Sequence, residues 1–233
     1  MRSKRNLFRL LVRCGAGVFI FGSHFLYGQQ PEDTSPTVPY REDQFYFGAS
    51  FISFSGGASA FKQNGFSPHF QIGFVRDIPL VPSGKLAMGV GVGYDSQRWV
   101  SNWLRVSKDN SVAYTFWESG SSFEKMEYSF QSLVIPICIR WRSSSATNYK
   151  FWRVYSGVKW HWNYAVKAIN ASEKIRISQE VNRWTPEAYA SFGYNTWNFY
   201  VGYDLKGMFS GLPNTEALGD LRTLKIGLIF YVL

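Results

Sequence analysis

The sequence is poor in cysteine and histidine, lacks long apolar runs, and has no local concentration of charge in its main part. Only two cysteines occur in 233 residues, Cys14 and Cys138. Because Cys14 lies in the predicted leader described below, the mature chain keeps one thiol and cannot form an internal disulfide. The apolar run 14–26 is too short to cross a bilayer as a helix.

The positive charge of the chain does not predict a nucleic-acid partner. The formal net charge is +9, but five basic residues lie among the first thirteen. Removing these five leaves 20 basic against 16 acidic residues, and the remaining basic residues are scattered. A nucleic-acid-binding protein needs a basic patch or stripe, so this class is excluded.

The N-terminal region has the features of a secretory signal. A basic stretch ending at Arg13 precedes the apolar run, and Gly28 offers a cleavage point. We therefore predict a signal peptide over residues 1–29 and a flexible, Pro-rich periplasmic lead-in over 30–44. The remainder, 45–233, shows neither a second domain nor an internal repeat.

From residue 45 the apolar residues recur with a period of two, which is typical of β-strands with one apolar face. In the clearest segment Leu86, Met88, Val90 and Val92 alternate with small residues, mostly glycine. The eight segments are 45–51, 66–74, 86–95, 132–141, 153–167, 187–195, 197–206 and 224–232. Aromatic residues make up 18% of the chain, and it contains 21 Gly. These features favour membrane strands with aromatic girdles and small inward-facing residues.

The predicted fold is all-β: an eight-stranded antiparallel transmembrane β-barrel in a Gram-negative outer membrane. The large apolar side chains would face lipid, while glycines and charged residues would face a narrow lumen. With both termini in the periplasm, the long connections are extracellular and the short ones are periplasmic turns. The long connections are 55–65, 96–127, 168–184 and 210–220, and the short ones are 77–84, 142–150 and 195–196. An exported soluble β-sandwich or lipocalin-like barrel is the alternative.

The inward charges predict a plugged lumen, because eight strands enclose only enough space for side chains. The predicted plug consists of Arg140, Arg153, Lys159, Lys167, Glu187, Asp204, Lys206 and Lys225. A narrow anion-favouring pore is the alternative, since bases outnumber acids in this set.

The tryptophans lead to two further predictions. Rim tryptophans would anchor the barrel at the lipid headgroups; these are Trp99, Trp103, Trp117, Trp152, Trp184 and Trp197. The long connection 96–127 is also the candidate contact with a partner protein or surface ligand, through Trp99, Trp103, Tyr114, Phe116 and Trp117.

The last strand has a pattern that we predict the barrel assembly machinery recognises during biogenesis. This pattern consists of Lys225, Gly227, Phe230 and Val232.

Catalytic, cofactor and metal sites are not predicted. Outside the leader the histidines are His69 and His161, both on the inward face, and Ser67 lies two residues before the first. No motif marks a nucleophile, and no His, Cys or Asp cluster has ligand spacing. A lumen histidine hydrogen-bonded among polar neighbours is the simpler interpretation.

The chain resembles PorT-type outer-membrane β-barrel proteins over roughly residues 44–233. The resemblance rests on FYFGASFISF, on GFVRDIPL followed by KLAMGVGVGY, and on SLVIPICIRWRSS followed by KFWRVYSGVKW. It implies a role in type IX secretion, or membership of the wider porin family to which many relatives are assigned.

We therefore expect a non-enzymatic structural or accessory component of an envelope complex. Its partners would be outer-membrane lipid, the assembly machinery and envelope or secretion subunits, without nucleic acid or cofactor. A small passive channel is the second hypothesis, and an outer-membrane enzyme is the third.

Overall fold

A computed structural model describes residues 43–108, 111–117, 126–143, 152–170, 173–209 and 220–232. The predicted signal peptide and nearly all of the lead-in lie outside these residues. Within them, no helix is long and apolar enough to cross a membrane.

The described residues form eleven β-strands, which belong to two sheets. The strands are β1 Gln44–Ser55, β2 Pro68–Pro79, β3 Leu86–Ser101, β4 Trp103–Lys108, β5 Ser111–Phe116, β6 Met126–Arg142, β7 Trp152–Asn170, β8 Glu173–Arg176, β9 Trp184–Tyr194, β10 Trp197–Asp204 and β11 Arg222–Val232. β4 and β5 form a separate hairpin, and β8 adds to the outer end of β7.

The other eight strands close into an antiparallel barrel, which confirms the predicted fold class. Their order around the wall is β6, β3, β2, β1, β11, β10, β9 and β7, and β6 also pairs with β7 to complete the ring. The pairing of the first strand, β1, with the last, β11, joins the two ends of the strand series. We call the end with the short hairpins the turn end and the opposite end the loop end. At the turn end β9 and β10 join through a two-residue turn in which Asn195 has a φ of 56°. Asn tolerates this left-handed conformation, and such turns match the twist of paired strands.

Two rings of exposed aromatic residues bound the apolar outer surface. Trp152 and Trp197 lie at the turn end, and Trp162 and Trp184 lie nearer the loop end. On β7, Trp152 and Trp162 are ten positions apart. A rise of about 3.3 Å per residue and a tilt of about 40° place the two rings roughly 25 Å apart, which matches the apolar band of outer-membrane barrels. Of the predicted rim anchors, Trp152, Trp184 and Trp197 are thus exposed on the wall.

A β-bulge in β7 reverses the faces of its last residues. Ser132 of β6 pairs with Asn163, whereas the adjacent Gln131 pairs with Ala165, which leaves Tyr164 as an extra residue. An inserted residue shifts the alternation by one position. Val166 is therefore buried and Lys167 is exposed. The predictions that Val166 faces lipid and Lys167 faces the lumen are wrong for this reason.

Beyond the aromatic ring near the loop end, the loop-end ring, the wall continues with a polar outer face and an apolar inner face. Arg98 and Glu127 lie on the outside as an ion pair of 3.7 Å, while the inside is apolar. We call the inward apolar cluster the apolar cap; it comprises Ile52, Trp99, Trp103, Met126, Tyr128, Phe130, Val166, Ala168, Ile177, Val181, Met208, Phe209 and Leu221.

The candidate partner loop is a part of this cap. Trp99 and Trp103 are each only 1% exposed, and partly buried Tyr114 and Phe116 pack against the cap. Trp103 stacks on Tyr114 with ring centroids 4.5 Å apart, and Trp117 is half-buried. The prediction that these aromatics form an exposed contact surface is wrong, because they pack against the chain itself. For the same reason Trp99 and Trp103 are not rim anchors.

Candidate functional site

The middle of the lumen holds a connected set of charged and polar side chains, which we call the central network. It comprises His69, Gln71, Asp95, Lys159, His161, Glu187, Tyr200, Asp204, Thr223 and Lys225. Every member is buried. They come from six of the eight barrel strands, so only the closed barrel brings them together.

Glu187 is the hub of the central network. Its carboxylate accepts hydrogen bonds from the Tyr200 hydroxyl and the Lys225 ammonium. His161 Nε2 lies 3.5 Å from Glu187 Oε2, and Lys159 Nζ lies 3.9 Å from Oε1. Several positive and donor groups therefore compensate one fully buried carboxylate, as burial of a charge requires.

Each neighbour of Glu187 has a second partner. Lys159 donates to Gln71 Oε1 at 2.5 Å and to the Tyr200 oxygen at 2.6 Å. Lys225 also reaches Asp204 Oδ1 at 3.4 Å, and Asp204 accepts a hydrogen bond from Thr223. The network therefore connects strands across the full width of the lumen.

Two inward-facing glycines leave room for long side chains in the lumen. A Cβ at Gly202 would lie 2.7 Å from Glu187 Oε1, and one at Gly73 would lie 2.5 Å from the Tyr46 hydroxyl oxygen. Both distances are shorter than any van der Waals contact, so glycine at these positions makes space for long side chains from the neighbouring strands.

A second charged group, the turn-end cluster, lies below the central network. Asp77 accepts hydrogen bonds from both Arg140 and Arg142, and Arg140 also donates to Gln44. The Arg140 guanidinium carbon lies 4.3 Å above the Tyr155 ring centroid, a favourable cation–π geometry.

Most of the predicted plug lies in the lumen. Arg140, Arg153, Lys159, Glu187, Asp204 and Lys225 are all buried there. Lys206 is exposed and lies beyond the end of β10. Its inclusion in the plug is wrong, because the strand ends two residues earlier.

The sequence analysis omitted three plug residues: Asp77, Asp95 and Arg142. Asp95 lies on the predicted inward face of β3, whereas Asp77 and Arg142 were assigned to turns. Continuing the alternation of β2 and β6 by a few residues would have found them. With them, the buried charges of the described chain are five Arg or Lys and four Asp or Glu, besides two His. This near balance removes the excess of bases on which the anion-favouring pore rested.

Three strands bring together a group that the sequence spacing did not reveal. Ligand atoms of Asp95, His161 and Glu187 lie within 4.8 Å of one another, and these residues could in principle hold a metal ion. Their carboxylates are already bound: His69 hydrogen-bonds to Asp95, and Glu187 has Lys225 and Tyr200. Ion pairing and hydrogen bonding thus account for the group without a metal.

Ser67 and His69 do not form a catalytic pair. The Ser67 hydroxyl oxygen accepts a hydrogen bond from the Val100 amide at 3.1 Å, whereas His69 contacts Asp95. Both side chains are fully buried, below the apolar cap. In the part of the chain that the structure describes, packed side chains lie between them and the outer rim.

Together these layers fill the lumen. From the turn end, the turn-end cluster, the central network and the apolar cap follow one another along the barrel axis. A cavity beside Tyr46, Lys159 and Tyr189 measures about 10 Å³, the volume that a single water molecule needs. The described lumen is thus a packed interior.

A comparison with protein families agrees with this architecture. A family model described as outer membrane protein beta-barrel domain matches residues 29–221. No curated protein matches the chain at a significant level.

Two similar solved structures share 10% sequence identity with the chain. Neisserial surface protein A covers 82% of this chain and 96% of its own, with a TM-score of 0.37. Ail, the attachment invasion locus protein of Yersinia pestis, solved in complex with the heparin analogue sucrose octasulfate, covers 82% of this chain and 99% of its own, with a TM-score of 0.38.

Proposed function

Because the chain belongs to the outer membrane protein β-barrel domain family, we propose that it is a non-enzymatic, non-conducting barrel that serves as an accessory component of an envelope complex. The family description indicates an outer membrane location. The filled lumen carries the proposal, since a barrel without a path for solutes acts through its surfaces.

The outer surface near the loop end supports this role. The wall extends beyond the aromatic ring as a polar, charged surface over a packed apolar cap, with Arg98, Glu127 and Lys167 on the outside. Such a rigid surface, raised above the lipid, suits contact with another envelope protein. In this proposal both termini and the turn end are periplasmic, and the loop end is extracellular.

The finer assignment is a role in type IX protein secretion, supported by the resemblance of residues 44–233 to PorT-type barrels. Affinity purification from detergent-solubilised membranes of the native host tests it. Reproducible recovery of translocon subunits in stoichiometric amounts is expected. Recovery of the barrel alone, after mild crosslinking in intact cells, would contradict the accessory role.

Conductance tests the sealed lumen separately. The purified barrel should carry no steady current in a planar bilayer. Replacing Arg140, Arg153 and Lys159 together by Ala removes three long buried side chains and should produce a small, cation-favouring conductance, because Asp77 and Glu187 lose compensating charges. Steady conductance by the unaltered barrel would favour the channel hypothesis.

A further inference from the structure

A groove of about 600 Å³ lies on the outer flank of the barrel near the loop end; we call it the flank groove. On one side it is lined by Trp162 and Tyr164, where β7 bulges outward. On the other side it is lined by Arg176 at the end of β8, by residues 177–180 and by Arg183. β8 folds back along β7 in the register Lys167↔Arg176, whereas Trp162 of β7 pairs with Trp184 of β9, so the groove lies between these two pairings.

The loop-end aromatic ring indicates the level of the membrane at which the flank groove lies. Trp162 stacks on Trp184 with ring centroids 6.2 Å apart, and Tyr164 lies 6.3 Å from Trp162. All three rings are exposed on the lipid side of the wall. Trp and Tyr in such rings lie at the level of the lipid headgroups. The groove therefore opens where a headgroup would be.

The groove carries basic charge that the described neighbouring residues leave unneutralised. Lys167 and Arg176 are directly opposite each other on adjacent strands and are both exposed. Like charges in this arrangement repel. Among the described residues, Arg176 donates to two neutral oxygens, Ser178 Oγ and the Tyr164 carbonyl, both at 3.3 Å. Arg183 adds a further exposed guanidinium on the lining.

The carboxylate on the groove lining does not compensate this charge. Glu180 accepts hydrogen bonds from Arg105 Nη2 at 2.8 Å and from its Nε at 3.2 Å. Because Arg105 binds both oxygens of this carboxylate, Glu180 does not neutralise the groove, and an anion from outside the described residues would relieve the repulsion between Lys167 and Arg176.

We propose that the flank groove binds the phosphate headgroup of a membrane lipid. Arg176 and Arg183 hold the phosphate, since guanidinium groups bind phosphate through paired hydrogen bonds. Trp162 and Tyr164 contact the less polar part of the headgroup below it. The exposed aromatic lining, at the level of the headgroups, favours a lipid over a soluble anion. The inference requires only that the barrel spans a membrane, and not the accessory role proposed above.

Native mass spectrometry of the purified full-length barrel in a non-ionic detergent tests the proposal. Dioctanoyl phosphatidic acid is the probe, and dioctanoyl phosphatidylcholine and inorganic phosphate are the comparison ligands. Phosphatidic acid should bind most tightly. In the Arg176→Gln/Arg183→Gln variant its affinity should fall about tenfold or more, because the charge-assisted hydrogen bonds are lost.

The matched control is Lys206→Gln, which removes an exposed positive charge outside the groove and should leave the affinity unchanged. All variants should keep the gel mobility shift of a folded barrel on heating, since the changed residues are exposed. Equal affinity in the double variant and the parent would overturn the site. Equal affinity for phosphatidylcholine, or displacement of phosphatidic acid by inorganic phosphate at a similar concentration, would overturn the lipid assignment.

Discussion

The buried carboxylate of Glu187 offers the sharpest test of how the lumen is stabilised. Glu187→Gln keeps the shape of the side chain but removes the charge that faces Lys225 and Lys159. Breaking a buried ion pair costs about 3–5 kcal/mol, because the remaining charge is left uncompensated. Since Lys225 keeps Asp204 at 3.4 Å, we expect a value near the lower limit, about 3 kcal/mol.

Urea unfolding in lipid vesicles measures this loss. With an m-value on the order of 3 kcal/mol/M, the midpoint should fall by roughly 1 M. The matched control is Glu127→Gln, which breaks the Arg98 ion pair on the outside of the wall, and such surface pairs contribute about 0–1 kcal/mol.

The double variant Glu187→Gln/Lys159→Met separates charge imbalance from loss of packing. It removes both charges and leaves Lys225 paired with Asp204, so part of the lost stability should return. If Glu187→Gln and Glu127→Gln lower the midpoint equally, the lumen is hydrated and open, and the packed interior described above is wrong.

Three further changes address the wall, the cap and the orientation. Ile137→Arg places a charge in the apolar band and should lower stability in vesicles by roughly 2–4 kcal/mol. Ser129 also faces outward on β6 but lies beyond the loop-end ring, so Ser129→Arg should cost much less. Equal effects would contradict the assigned membrane level. Trp103→Ala should cost about 3–5 kcal/mol by leaving a cavity in the apolar cap, and an unchanged urea midpoint would show that the cap does not pack. Cysteine in place of Lys206 should react with an impermeant maleimide on whole cells and cysteine in place of Ser83 should not; the reverse pattern would invert the orientation.

The barrel could be predicted from the sequence because its wall obeys a simple rule. Between the aromatic rings, lipid on one side and a narrow lumen on the other impose strict alternation, and Leu86–Asp95 or Leu133–Trp141 show it directly. Eight such runs and their alternating connection lengths were sufficient for the strand order.

The alternation of apolar and polar residues no longer predicts the faces of a strand where the wall does not border lipid. Beyond the loop-end ring the outside is water, so the apolar side chains turn inward, and Trp99 and Trp103 read as loop residues although they are core. The single extra residue at Tyr164 has no signature of its own, yet it reverses Val166 and Lys167.

The candidate site depends on register, which one sequence does not supply. Asp95, His161 and Glu187 are far apart along the chain, and each is one polar residue among several on its strand. Only the pairing of Gln71 with Asp95 and of Lys159 with Glu187 puts them at one level. The composition of the lumen was therefore accessible, but its contacts were not.

The apolar cap also constrains the order in which the barrel assembles. Its side chains come from both ends of the strand series: Ile52 of β1 and Trp99 of β3 lie in the same cluster as Phe209 and Leu221, which come from between β10 and β11. The cluster can be complete only after the first and last strands, β1 and β11, have paired and closed the barrel. The cap is therefore a property of the closed barrel alone, and it is completed in the last step of strand pairing. An intact cap thus reports that β1 and β11 are joined, although most of its side chains belong to other strands.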